Sequence, residues 1–256
     1  MIIAGIDAGI EATKAVIVKD GKVIGRSKTS TGGIDRPEQA RKAYDAALKE
    51  AGIGEDEVET VIATGKGKFD VPFAGGRVTE TIAAAHAARH LCPDATSVMS
   101  VGADETLAAT LGDKRLVNEF VLNQKCTAGV GTFLTYLAKR FGIAIEDTGA
   151  EIQDAGPINE GCVVFSELDA LSLINNGAAP GAVMASAVKA AAVRAANVLN
   201  DLTNQANERV VLIGGLTKNA RFVRIVEEMM GVKFIIPEQA EYCGAIGAAV
   251  SGGKVS

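Results

Sequence analysis

No tryptophan occurs in this chain, and eight phenylalanines and three tyrosines are its whole aromatic complement. Bulky side chains are replaced by 29 glycines and many alanines, a composition for close helix–sheet packing around tight turns. Positive charge is also in deficit: 26 lysines and arginines stand against 31 aspartates and glutamates, for a formal net charge of −5. That balance, with a pI near 5.2, excludes the basic face by which a nucleic-acid or anionic-membrane binder holds its target. No apolar run reaches the roughly 18 residues of a transmembrane helix. The opening MIIAGIDAGIEATK has no basic segment ahead of an apolar one, so it reads as a β-strand and not as a secretory signal, and the expected location is the cytoplasm.

Metal-binding and redox signatures are sparse. The two histidines, His86 and His90, have the i, i+4 spacing that suits zinc, but no glutamate follows the first and no third ligand stands nearby. The four cysteines, Cys92, Cys126, Cys162 and Cys243, contain no C-x-x-C pair. Disulfides are not expected in a cytoplasmic chain, and each cysteine taken alone reads as a small buried apolar residue.

What is present is ample core material: 48% of 256 residues are hydrophobic, enough for one large domain or two lobes. Residues 1–30 read as a strand and a hairpin turning at Asp20-Gly21. A helix is expected over 36–52, then a short strand in VETVIATGKGK and a helix in TETIAAAHAARHL stopped by Pro93. Three strands follow from residue 95. Helices are expected near 130–141, from about Cys162, and over the Ala-rich stretch 179–206, whose 183–199 portion reads as core. RVVLIGGLTKNARF is a strand, glycine turn and helix; VKFIIPEQAEYCGAIGAAVSG is a last strand, a loop and a small-residue helix. The strand–hairpin–helix order of the N-terminus recurs from about residue 95, a duplicated plan with lobes 1–94 and 95–256.

Three glycine turns each follow a strand: GIDAGIEATK (5–14), SVGADETLA (100–108) and LIGGLTKN (212–219). A turn without Cβ atoms lets backbone N–H groups approach phosphate oxygens. Candidate nucleotide-binding positions are therefore Ile10, Glu11, Ala12, Thr13 and Lys14 in the first, Gly102 and Ala103 in the second, and Gly214, Gly215 and Asn219 in the third. Asp7, ending a buried strand, suits a hydrated Mg²⁺, and Lys14 offers a point charge to a phosphate. Neither G-x-x-x-x-G-K-[ST] nor G-x-G-x-x-G occurs, so P-loop and Rossmann readings fail. A single strand-ending glycine is only a turn; three of them in a duplicated order favour the α/β architecture of actin, Hsp70 and sugar kinases, in which two lobes clamp ATP.

Taken with IATGKGK (62–68), NQKCTAGVGTFL (123–134), CVVFSELDALSLINNG (162–177) and YCGAIGAA (242–249), these turns make the chain resemble, nearly end to end, the BadF/BadG/BcrA/BcrD group: ATPase subunits of benzoyl-CoA reductases and activators of 2-hydroxyacyl-CoA dehydratases. The resemblance implies ATP-coupled electron transfer. It implies that Cys126 and Cys162 give two of the four thiolates of a 4Fe–4S cluster shared with a second subunit, identical or paralogous. Each cysteine precedes an expected helix, whose N-terminal dipole favours thiolate and an anionic cluster. Gly129 and Gly131 let the backbone pass close to cluster and phosphate, while Cys92 and Cys243 fall outside the ligand positions and are structural. The implied partners are a ferredoxin or flavodoxin donor and an iron–sulfur reductase or dehydratase, with ATP/ADP and Mg²⁺ as further cofactors.

Two turns depart from the group's pattern. Its activators have Asp-Ile-Gly-Gly-Gln-Asp where this chain has Ser100 to Glu105; the residue expected to position the attacking water is then Asp104. Hydroxyl residues usual after Gly9 are replaced by Ile10 and Glu11, whose charge opposes phosphate unless Mg²⁺ or Lys14 offsets it. Lys66 and Lys68 read equally as nucleotide-side charges or as a solvated loop, and Glu167 as an interface residue or a helix N-terminal acid. Two other functions stay open on the residues alone: an actin-fold small-molecule kinase with core cysteines, and a nucleotide-binding subunit that does not hydrolyse.

Overall fold

The structure is a computed structural model that describes residues 1–31, 35–123, 130–145, 148, 152–200, 202 and 209–252. Strands β1 (Ile2–Ala8), β2 (Ala12–Lys19) and β3 (Lys22–Ser30) form an antiparallel meander, followed by α1 (Arg36–Ala51), β4 (Thr60–Thr64), β5 (Gly76–Arg77) and α2 (Glu80–Leu91). The five strands lie in the order β3-β2-β1-β4-β5, with β4 parallel to β1. Asp20 (φ 49°) and Gly21 (φ 80°) both take positive φ in the β2–β3 turn. That is the type I′ geometry, which matches strand twist and which Asp-Gly adopts readily.

Four consecutive residues of β1, Ile3 to Ile6, are buried, because helices cover both faces of the sheet. Ala4, Ile6 and Ala8 join the α1 side chains Ala40, Ala43, Tyr44 and Ala47 in one core. Ile3 faces the other way, in a core with Val16, Ile62, Ala83 and the C-terminal residues Ala245, Ile246, Ala248 and Ala249. By the two-residue alternation of a strand, Gly5 and Asp7 share that second face.

The helix covering it is α7 (Cys243–Ser251), the last of the chain. It lies so close that a Cβ at Gly5 would stand 1.9 Å from the Ala245 carbonyl oxygen, and one at Gly247 would stand 1.8 Å from that of Ala83. Residues 237–256 accordingly group with 1–98 and 109–119 in one compact unit; residues 99–108 and 120–236 form the other.

The remaining elements are β6 (Ser97–Val101), β7 (Thr106–Leu111), β8 (Val117–Leu122), α3 (Gly131–Phe141), α4 (Val163–Asn175), α5 (Pro180–Asn200), β9 (Val210–Ile213) and α6 (Ala220–Met230). The second sheet has the order β8-β7-β6-β9. The Ala-rich α5 is core, as its composition predicts: Val183, Met184, Ala187, Val188, Ala191 and Ala195 are all buried. The strand expected in VKFIIPEQ shrinks to one parallel bridge between Ile235 and Val211, because Pro237 removes the next donor. Among the described residues no helix is long and apolar enough to cross a membrane.

Candidate functional site

In the first unit the site is built by strand register. The β1–β2 pairing sets Asp7 directly opposite Lys14, and the Lys14 ammonium donates to Asp7 Oδ2 at 3.2 Å, each side chain 18% exposed. On the other side of β1, Asp7 is paired with Thr64 of β4, and beyond β2, Lys14 is paired with Lys28 of β3. Register partners share a face, so a polar row Thr64–Asp7–Lys14–Lys28 crosses the sheet and ends where the Lys28 ammonium meets Glu241 Oε2 at 3.1 Å.

Two glycines make room around the carboxylate. A Cβ at Gly65 (φ +88°) would lie 2.7 Å from Asp7 Oδ1, and one at Gly244 would lie 2.9 Å from Oδ2. Sequence reasoning finds Asp7 and Lys14 but not these neighbours, although Gly65 bears the same strand-ending signal as the other turns. The Ile10–Ala12 turn is closed by the Thr31 amide donating to the Glu11 carbonyl at 3.0 Å. Thr13 turns inward, its buried hydroxyl 3.1 Å from that of Thr31. Lys68 reaches the Gly65 carbonyl and Glu80, each at 3.3 Å, and Lys66 lies 3.9 Å from Glu80.

In the second unit, the Gly102 amide donates to the Glu105 carbonyl at 3.0 Å, forming a tight turn with Ala103 and the half-buried Asp104 at its tip. The turn rests on the start of α3. Gly131 is required there, since a Cβ would lie 2.6 Å from both Gly102 O and Ala103 Cα. Thr132 donates its amide (2.8 Å) and its hydroxyl (3.1 Å) to the Ala103 carbonyl. Gly214 (φ +105°) backs onto Val101, where a Cβ would stand 2.2 Å from the carbonyl oxygen. The structure thus brings Gly102, Ala103 and Asp104 after β6 against Gly131 at the head of α3, and Gly214, ahead of Gly215 after β9, against Val101. Asn219 is spent otherwise. It is buried and caps α6 by accepting from the Phe222 amide at 2.7 Å, while its Nδ2 donates to the Ile145 carbonyl at 2.5 Å and Thr148 Oγ1 at 2.7 Å.

Cys126 and Gly129 lie outside the described residues. Cys162 is the N-cap of α4, partly exposed and a free thiol. Its amide and that of Gly161 donate to Asn159 Oδ1 at 2.8 and 2.9 Å. Beyond it, Val164, Phe165 and Leu168 stand 60%, 58% and 55% exposed, on one face by their i, i+1, i+4 spacing. Glu167 accepts from the Tyr136 hydroxyl at 2.7 Å, and Arg140 donates to the same hydroxyl oxygen at 3.0 Å, tying α3 to α4. Cys243 is fully buried, and burial pushes its thiol up to about 12; Cys92 ends α2. Burial also lowers His86 below its ordinary value. Among the described residues no three His, Cys, Asp or Glu side chains are grouped to hold a metal.

Comparison with known proteins gives a consistent result. The family model described as BadF/BadG/BcrA/BcrD ATPase family matches residues 4–252. The activator of lactoyl-CoA dehydratase from Anaerotignum propionicum is 30% identical over 98% of this chain and 96% of its own. A benzoyl-CoA reductase subunit from Thauera aromatica is 29% identical over 98% of this chain and 93% of its own. The crystal structure of component A of (R)-2-hydroxyglutaryl-CoA dehydratase from Acidaminococcus fermentans superposes with a TM-score of 0.87 at 25% identity, covering 98% of this chain and 96% of that one. A ROK-family glucokinase from Streptomyces griseus shares the fold alone, with a TM-score of 0.59 at 14% identity over 97% of this chain and 98% of that one.

Proposed function

The chain belongs to the BadF/BadG/BcrA/BcrD ATPase family, and on that footing we propose that it is the ATP-dependent iron–sulfur subunit that drives a low-potential electron into a partner acyl-CoA or aryl-CoA reductase or dehydratase. The observation that carries the reading is the Cys162 thiol, offered at the head of α4 beside the exposed Val164, Phe165 and Leu168. Exposed apolar side chains in a contiguous group mark a protein interface. A partly exposed thiol at the head of a helix is open to a metal group brought by a neighbouring subunit. The two together suit half of a ligand set completed across a subunit boundary, with Cys126 as the second ligand from this chain. A 4Fe–4S cluster, when bound there, supplies a one-electron store.

The chain's own residues divide the remaining work. The Gly102–Glu105 turn, Gly131 and the Gly214–Gly215 turn present backbone N–H groups to phosphate. Lys14 is a point charge for a phosphate oxygen, and Asp7, cradled by Gly65 and Gly244, is placed to hold a Mg²⁺ through water. Asp104, at the tip of its turn, orients the attacking water. The partners are a second subunit, identical or paralogous, the reductase or dehydratase, and a ferredoxin or flavodoxin donor.

Anaerobic purification with iron, acid-labile sulfide and ATPase assays tests the reading. About two irons per chain are expected, lost in Cys126→Ala and in Cys162→Ala, with hydrolysis abolished in Asp7→Asn. Iron-free protein that phosphorylates a small molecule would replace this reading with a kinase.

A further inference from the structure

The loop that delivers Cys162 is held from beneath by a residue far away in sequence. Arg194, in α5, donates from Nη2 to the Asn159 carbonyl at 2.6 Å and to Ser166 Oγ at 2.5 Å, and from Nε to the Glu160 carbonyl. Its guanidinium also lies 6.0 Å from the centre of the Phe133 ring. Ser166 is fully buried, and its hydroxyl lies 2.7 Å from the Asn159 carbonyl and 2.9 Å from that of Cys162. Asn159 is held in turn by its amide donating to Asp169 Oδ2 at 2.8 Å, and its own Oδ1 takes the Gly161 and Cys162 amides.

We propose that Arg194 is the positioning residue for the Cys162 thiol, fixing through the 159–162 loop the angle at which the chain enters α4. The proposal rests on the cluster reading above. A planar guanidinium suits this task because it offers several donors in one rigid fork, here spread over two consecutive backbone carbonyls and a hydroxyl. A lysine also has three donors, but they radiate from one nitrogen on a flexible stem and lack the fixed spacing of the guanidinium fork, so it would hold these acceptors less rigidly. Each carbonyl sits where the chain has left regular structure and has no helical partner, so a charged donor there is worth more than a neutral one. With the loop fixed, Asn159 Oδ1 holds the Cys162 amide and the thiol keeps one direction.

The test compares full-length wild type, Arg194→Met, Arg194→Lys and Asn159→Ala, prepared anaerobically. Amide exchange of residues 159–166 is read in iron-free protein; iron per chain and the midpoint potential are read after reconstitution. In Arg194→Met, exchange at Gly161 and Cys162 is expected to rise about tenfold, the effect of losing a charge-assisted hydrogen bond on a local opening. Iron loading should fall at least about threefold, and the potential of what remains should shift, while exchange in β1 and β2 stays at wild-type rates. Asn159→Ala should show the same pattern and serves if Arg194→Met does not fold. Arg194→Lys should lie between. Wild-type exchange with full iron in Arg194→Met, or complete rescue by lysine, would overturn the proposal. A wild type that binds no iron would overturn the cluster reading instead, and the exchange measurements would still decide the role of Arg194.

Discussion

Gly247→Ala isolates the contact on which the first unit depends. Gly247 lies on α7 facing α2, and a Cβ there would stand 1.8 Å from the Ala83 carbonyl oxygen and 2.5 Å from its carbon. Ordinary carbon–oxygen contact begins near 3.4 Å, so the two helices must part by roughly 1.5 Å. Backbone cannot rotate away as a flexible side chain does. The movement loosens Ala83 and the Ala245, Ile246, Ala248 and Ala249 side chains that share its core. Overpacking at a well-packed site costs about 1–3 kcal/mol, and a clash with a main-chain carbonyl belongs at the upper end, about 3 kcal/mol. For a chain of this size that is about 6–12 °C in Tm. Urea unfolding followed by circular dichroism measures it. Gly181→Ala is the control: its Cβ would have nothing nearer than Ile152 Cδ1 at 4.0 Å, and alanine gains about 0.5 kcal/mol in a helix. If Gly247→Ala lost less than about 1 kcal/mol, helix packing on missing Cβ atoms would not be what seats α7.

Other outcomes follow from single groups. Asn219→Ala should lose about 2–3 kcal/mol, from the α6 cap and two buried acceptors left unmet; Asn219→Asp should keep the cap and lose only the donors, which denaturant midpoints will separate. The Cys243 thiol, ordinarily near 9.0, is pushed up to about 12, and the Tyr44 phenol rises from 10.0 to about 12, chiefly by burial. Both groups stay protonated in the fold while the unfolded chain releases their protons. Their contribution is therefore complete below about pH 9 and lost as pH rises towards 12. Cys243→Ala should flatten the first part of that decline; a wild-type midpoint constant from pH 8.5 to 10 would refute it. In folded, iron-free protein, iodoacetamide at pH 8 should label the partly exposed Cys162 and leave the buried Cys243 untouched, as intact mass and peptide mapping will show.

Much of the local structure is legible because it is written in short signals. Asp20-Gly21 marks the hairpin, Gly52 ends α1 in the left-handed region at φ 69°, and the alanines of α5 mark a core helix. Asp7 and Lys14 can be singled out at the end of a strand and across a turn, and strand register sets them face to face. Relations distant in sequence are what the residues do not announce. The return of α7 to β1 depends on Gly5 and Ala245 touching from opposite ends of the chain, and nothing local distinguishes these small residues from others. Asn219 looks like part of a phosphate turn, but a buried amide goes where unmet backbone groups are, here the α6 amides and Ile145. Arg194 stands inside an Ala-rich helix with no motif around it; among its partners are the carbonyls of Asn159 and Glu160, 35 and 34 positions back in the chain.

Native mass spectrometry of the anaerobically purified protein with its associated subunits separates a cluster-bridged pair from a single chain. Two ATPase-family chains around one cluster of four irons and four sulfides are expected, with the Cys162→Ala variant running as iron-free single chains. A wild-type chain that stays single and iron-free under the same conditions would contradict the shared cluster.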